Sequence, residues 1–295
     1  MKKIILIIIT SIFVVSCETF IDMEIPNEGR KITINSIIND QENPVVFLHR
    51  SRFILDGTYD FEPIIQATVR LSKEGTVVAS LHETELGVYT TDDYIPEKGF
   101  SYTIEVTKTG ETASAQTSIP NSIGCEFVDT SRVNHLQFEQ TTEYLRFNLK
   151  VSDPVNEENY YMVTFHQSMY EYPISFYSTE KVVENGNDQY LNYAVFSDKL
   201  INGISKTLGF DLEINNFTEE INPIQIRCNS ISKEMYLYYL RLSSYWDAQN
   251  SFLAEPVMMY TNINNGLGIF GGYSNFSINF VVPKLADGWI WGKNK

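Results

Sequence analysis

Cysteine, histidine and positive charge are all scarce in this sequence, and each scarcity closes off a class of chemistry. The 295 residues hold three Cys and four His. No Cys or His stands at ligand spacing from Cys125 or Cys228, which argues against a zinc site. His49, His82, His135 and His166 form no H-E-x-x-H motif and no close pair, so each reads as structural or solvated. Ser205, in "GISKTLG", lacks the G-x-S-x-G frame of a nucleophile elbow. Lys and Arg number 22 against 37 Asp and Glu, a formal charge of −15. That balance repels phosphate backbones and anionic headgroups and speaks against nucleic acid as a partner. Beyond the start of the chain, no apolar stretch approaches membrane length.

The start is different. Met1-Lys2-Lys3 is a short basic region, and Ile4 to Val15 is almost unbroken apolar sequence. At 1.5 Å per residue that run spans only about 18 Å of a hydrocarbon core roughly 30 Å thick. It reads as a secretion signal, not a membrane span. The run ends on Val14-Val15-Ser16-Cys17. Small residues before a Cys are the cleavage pattern of lipoproteins, in which the thiol carries diacylglycerol; Val14 and Ser16 depart mildly from its usual Leu and Gly or Ala. The alternative is an ordinary signal peptide with a chance Cys. The expected layout is a signal peptide over 1–16, acylated Cys17 as the first mature residue, and a polar tether over 17–30. Acyl chains, at roughly 0.8 kcal/mol per buried CH₂, would anchor the protein to a membrane. Cleavage removes Lys2 and Lys3 but no acid, leaving 20 basic residues against 37 acidic ones, a formal charge of −17. In an exported chain Cys125 and Cys228 have the option of a disulfide across about 100 residues, contributing about 4–5 kcal/mol in the chain-entropy model. Two buried free thiols are the other reading.

From Lys31 onward the text is β. In "SYTIEV", Tyr102, Ile104 and Val106 share one face and Ser101, Thr103 and Glu105 the other. Similar runs occur at "KITINSII", "PVVFLHR", "ATVRLS", "TVVASLH" and "SAQTSIP", separated by "LDG", "KEG", "PEKG" and "KTG". Short strands at this spacing predict antiparallel sandwiches, not βαβ units. The cadence of "GVYTTDDYIPEKGFSYTIEV" is similar to immunoglobulin- or transthyretin-like modules. The expected fold is mainly β: one β-sandwich domain over 31–120 and a second β-rich domain over 121–295. In the second, Leu145, Phe147, Leu149 and Val151 alternate with Arg146, Asn148, Lys150 and Ser152, and "DPVNEEN" turns the chain into "YYMVTFHQ". Further strands are expected near 174–183, 190–197, 207–214 and 222–228. One helix is expected near 233–250, with Ser232 as N-cap, Glu234 in the first turn, and a core stripe of Met235, Tyr239, Leu242 and Trp246.

Some motifs invite a functional reading. Gly266, Gly268 and Gly271 in "GLGIFG" fit G-x-G-x-x-G, but no βαβ unit surrounds them, so a dinucleotide site is rejected. Here the glycines read as permitting positive φ or a tight backbone approach in a loop feeding the last strand. Asp56, Asp60 and Glu62 offer oxygen ligands for Ca²⁺, though spacing alone does not make a site. The aromatic stretches 169–177 and Trp289 with Trp291 would stack on sugars or grip a peptide if exposed, and are sandwich core if buried.

"FLAEPVMMYTNINNGLGIFGGYS" resembles the closing signature of an uncharacterised Bacteroidota lipoprotein family, known as domain of unknown function 4249. The matching positions are Glu255, Pro256, Asn262, Gly266, Gly268, Phe270 and Gly271. Asp153-Pro154 with Asn159-Tyr160-Tyr161, and Ala67, Val69 and Leu71 with Gly87 and Tyr89, agree as well. The resemblance covers essentially the whole mature chain. It implies an outer-membrane lipoprotein, often in the company of TonB-dependent transporters, and carries over no catalytic residues, because the family has none established; no cofactor is expected. The expectation is a non-enzymatic, lipid-anchored binding or accessory protein that partners such a β-barrel in capturing a small ligand or peptide, with a loop near 262–275 making contacts. The competing readings are an envelope hydrolase, requiring a cleft of paired acids or a His-based nucleophile, and a fimbrial or adhesive subunit.

Overall fold

A computed structural model of the chain describes residues 29–53, 60–137, 140–155, 157–167, 173–186, 190–213, 223–249 and 254–281. The leader, Cys17 and most of the tether lie outside these residues, as do Asp56, Met169–Tyr172, Trp289 and Trp291. The fold is mainly β, with two sheets and one long helix among the described residues.

Seven strands open the chain: β1 (Ile32–Asn39), β2 (Val45–Arg50), β3 (Thr68–Lys73), β4 (Thr76–Glu85), β5 (Val88–Thr90), β6 (Phe100–Lys108) and β7 (Glu111–Ile119). Their alternation works as the sequence dictates: Tyr102, Ile104 and Val106 are buried, while Glu105 between them is exposed. The "KEG" and "KTG" signals become two-residue hairpin loops. Glu74 and Gly75 both have positive φ, as do Thr109 and Gly110, the geometry whose twist matches that of paired strands.

The second half adds β8 (Gly124–Gln137), β9 (Gln140–Ser152), β10 (Tyr160–Gln167), β11 (Phe176–Tyr177), β12 (Tyr190–Leu191), β13 (Ala194–Ser197), β14 (Ser205–Glu213) and β15 (Ile224–Ile231). Helix α1 (Lys233–Gln249) follows, then β16 (Gly266–Ser274) and β17 (Ser277–Phe280). The smaller sheet runs β12-β11-β14-β9-β8. The larger runs β13-β10-β15-β16-β1-β2-β5-β4-β3-β6-β7, with β17 on β15.

Two departures from expectation stand out. The 262–275 segment is not a loop: β16 occupies most of it and lies mid-sheet between β15 and β1. Its pairing with β1 is parallel, Ile32 to Gly266 through Asn39 to Tyr273, within an otherwise antiparallel architecture. A parallel pair needs a long connection, and here most of the chain provides it. Strand β7 curls back across β16, tied by Ser114 and Asn264, which exchange backbone hydrogen bonds of 3.2 and 2.7 Å.

Two principal cores result. One lies inside the curl of β1–β7 and takes Ile263 and Phe270 from the end of the chain. The other is a sandwich between the small sheet and β10, β13 and β15. Aromatic rings meet across it, Phe165 lying 5.5 Å from Phe147 and 5.9 Å from Phe210 between centroids. Strand β10 is buried along nearly its whole length because both faces are covered, one by this core and one beneath α1.

Candidate functional site

Helix α1 begins where predicted. Ser232 Oγ accepts a hydrogen bond from Met235 N at 3.2 Å, the N-cap bond that satisfies an otherwise orphaned donor. The same oxygen accepts from Gly272 N at 3.3 Å, and Thr117 Oγ1 donates to it at 3.0 Å. The cap therefore fixes the helix to β16 and β7 together. Gly271 lets it settle closely: a β carbon there would lie 3.1 Å from Met235 Cβ. Tyr236 packs on the Tyr160 ring and donates to Glu184 Oε2 at 2.6 Å. Burial pushes the Glu184 carboxyl up, but hydrogen bonds from Ser197 and Tyr236 outweigh it and hold the group below the usual carboxylate range.

The helix does not cover the sheet completely, and open space remains on both sides of Tyr239. On one side is a cavity of about 390 Å³ between α1 and strands β1, β10, β15 and β16. Its wall carries Tyr193, Tyr239 and Tyr273, with His166, Arg227 and Glu42. On the other side, Val45, Phe47, Tyr238 and Leu242, with Asn35 and Ser36, border a second space of about 440 Å³. Ile37 and Tyr239 line both, so the two spaces adjoin along the helix on either side of Tyr239. These volumes fall in the range of small-molecule sites, and the mix of aromatic walls with a few polar groups is what such sites have in common.

The first cavity is set by the sheet. Strand β15 pairs with β16 at Ser230 and Ile231 but with β17 from Ile224 to Arg227. The two neighbours follow one another in a single register, and at the junction Cys228 N donates to the Phe276 carbonyl oxygen at 2.9 Å, so β15 stays paired beneath the cavity. Tyr193 donates to the Tyr239 carbonyl oxygen at 3.2 Å, which steadies this wall. Burial raises the Tyr239 phenol to about 12 and also raises Tyr193 and Tyr273, so all three are neutral donors at neutral pH. Glu42 also raises Tyr273, and Arg227 partly offsets it.

The candidate residues taken from the sequence divide sharply. Gly266, Gly268, Phe270 and Gly271 belong to β16 and serve packing: Phe270 is buried in the first core, and a β carbon on Gly266 would stand 2.6 Å from the Ile32 carbonyl oxygen. Asn262 Nδ2 donates to the carbonyls of Gln116 and Phe270, and its Oδ1 accepts Phe270 N at 3.0 Å, so it also serves the fold. Glu255 and Pro256 border a space of about 290 Å³ at the far end of α1 beside Tyr245. Of the helical stripe, Met235 is core, Tyr239 and Leu242 line the cleft, and Trp246 is 58% exposed. Cys125 and Cys228 are free, buried thiols. Glu62 pairs with Arg30 at 2.8 Å, and among the described residues no group of three or more metal-ligating side chains converges. Sequence reasoning missed Tyr193, Arg227 and Tyr273, which share no local motif and meet only through sheet order.

A second polar cluster sits on the outer face of the small sheet. Asp211 is fully buried and accepts two hydrogen bonds from Arg146, at 2.6 and 2.7 Å, while His135 Nε2 lies 2.7 Å from its Oδ2. Tyr144 and Tyr177 flank the His135 ring. The buried Asp211 carboxylate is thus satisfied by partly exposed partners, with aromatic rings beside it, and the arrangement fits a structural ion pair. Asp153 acts similarly, accepting from the Tyr161 hydroxyl and from Gly203 N at 2.9 Å. That explains the Asp-Pro and Asn-Tyr-Tyr positions as loop ties.

No helix among the described residues is long and apolar enough to cross a membrane. The model of a family described as a domain of unknown function (DUF4249) matches residues 18–279. No curated protein and no solved structure was found to match the chain.

Proposed function

The chain belongs to the DUF4249 family, and we propose that it is a lipid-anchored binding protein of the bacterial outer membrane, working beside a TonB-dependent transporter in ligand capture. The observation that carries the binding half is the cleft beside Tyr239, preformed on rigid elements and lined by aromatic and polar side chains. Anchoring is supported by the basic and apolar leader ending at Cys17, and by an acidity that leaves lipid, not surface charge, to hold the protein at a membrane. The transporter partner rests on resemblance to the family.

Radiolabelled palmitate fed to cells is expected to enter the wild-type protein and not Cys17→Ser, which moves to the soluble fraction. Mild detergent extraction is expected to recover the wild type with a β-barrel. An unlabelled protein whose partitioning ignores Cys17 would remove the anchor; recovery as a lone monomer would remove the partner.

A further inference from the structure

We infer that the cavity where β16 gives way to β17 binds a small aromatic carboxylate, its acid group held by Arg227 and its ring walled by Tyr193, Tyr239 and Tyr273. This names the ligand class of the cleft, and it rests on the binding reading above but not on the anchor or the transporter.

The choice of ligand follows from which polar atoms are already engaged. Asn39 lines the cavity, but its Oδ1 accepts Gln41 N at 2.8 Å and Glu42 N at 3.1 Å while its Nδ2 donates to Glu42 Oε2 at 3.2 Å. Asn229 Oδ1 accepts Phe276 N at 3.3 Å. His166 Nε2 lies 2.9 Å from Thr164 Oγ1. Both ends of the Asn39 amide and the Asn229 Oδ1 are thus bound up in holding turns, which leaves Asn229 Nδ2 as a donor to a ligand oxygen. Arg227 differs. Its Nε donates to Gln225 Oε1 at 2.7 Å, which orients the guanidinium, and no carboxylate among the described residues pairs with it. An oriented guanidinium with no partner for its terminal nitrogens among the described residues is a fork for a carboxylate. It stands out in a chain whose acids outnumber its bases 37 to 22.

The body of the ligand follows from the wall. The Tyr193 and Tyr239 rings meet edge to face at 5.1 Å, and Tyr273 closes the β16 side. A flat ring gains most from such surfaces. The space of about 390 Å³ suits a molecule of this size. Glu42, on the same wall, disfavours a second acid on the ligand.

The test uses the full mature protein in detergent, with 4-hydroxyphenylacetate, indole-3-acetate and 3-phenylpropionate as probes and their primary amides as controls. Thermal shift and calorimetry are expected to show the acids binding at least ~10-fold more tightly than the amides, the worth of one charge-assisted fork. Arg227→Gln is expected to erase that preference and Arg227→Lys to restore part of it, both with the unliganded midpoint near wild type. Equal binding of acids and amides, or of wild type and Arg227→Gln, overturns the acid assignment and leaves the cleft a binding site for neutral molecules. No binding by any probe at about 10 mM, a limit weaker than any useful capture, overturns the assignment entirely. Loss of the barrel partner in the co-purification leaves it standing.

Discussion

Gly268 lies so close to Ile34 that a β carbon on it would stand 2.1 Å from the Ile34 carbonyl oxygen. This contact is the centre of the parallel pair that joins the chain's beginning to its end, and Gly268 also holds φ at +104°. Close approach and a left-handed backbone thus coincide at one residue.

A graded alanine series follows. Gly268→Ala, suffering both clash and strain, is expected to destabilise the protein by about 3 kcal/mol or more. Gly271→Ala meets the Met235 Cβ at 3.1 Å and its Cα at 3.6 Å, a milder contact without a left-handed backbone, so about 1–2 kcal/mol is expected. Gly75→Ala, at φ +79° with nothing within 4 Å, isolates backbone strain at about 1 kcal/mol. Urea unfolding with an unchanged m-value would measure each; equal costs at Gly75 and Gly268 would contradict the close packing of β1 against β16.

The series also shows where the sequence was legible. Period-two alternation placed most strands, and Ser232 with its following apolar stripe placed the helix within a residue of its observed end, because both signals are local. "GLGIFG" was ambiguous because its glycines serve a partner some 230 residues away, and nothing local says that β1 lies against them. The long β8 went unrecognised, since its stretch around Thr130 to Asn134 is mostly polar and exposed where only one side of the strand meets the core. The cleft was illegible for the same reason as β16. Tyr193 comes from the connection before β13, Arg227 from β15, Tyr239 from α1 and Tyr273 from β16, and only the order of strands in the large sheet makes them neighbours.

Glu184 makes stability depend on pH in a definite direction. Its folded carboxyl titrates below the ordinary value of 4.5, so in that region the unfolded chain binds more protons than the folded one. Its contribution is therefore fully present above about pH 4.5 and is lost as pH falls through the lower folded value. Glu184→Gln keeps the shape but weakens the bonds to Ser197 and Tyr236, which hold β13 and α1. The variant is expected to be less stable than wild type at pH 7, with the gap in urea midpoint narrowing toward pH 3. A gap constant across that range would mean that the charge contributes nothing.

Cys125 on β8 and Cys228 on β15 belong to opposite sheets of the second core, and both are buried. The neighbouring Cys125 sulfur, followed by burial, pushes the Cys228 thiol well above its ordinary range. It is the thiolate that attacks a thiol reagent, and this site suppresses and encloses it. In the reduced, folded protein carrying Cys17→Ser, Ellman's reagent is therefore expected to find no reactive thiol, and to find two once urea unfolds the chain. Under conditions where reclosing is slower than labelling, the two should react together at the global unfolding rate, because neither sheet can expose its cysteine without opening the core they share. Rapid labelling of one cysteine in native buffer would show that the sheets part there independently, and the sandwich around Phe147 and Phe165 would no longer be a single cooperative unit.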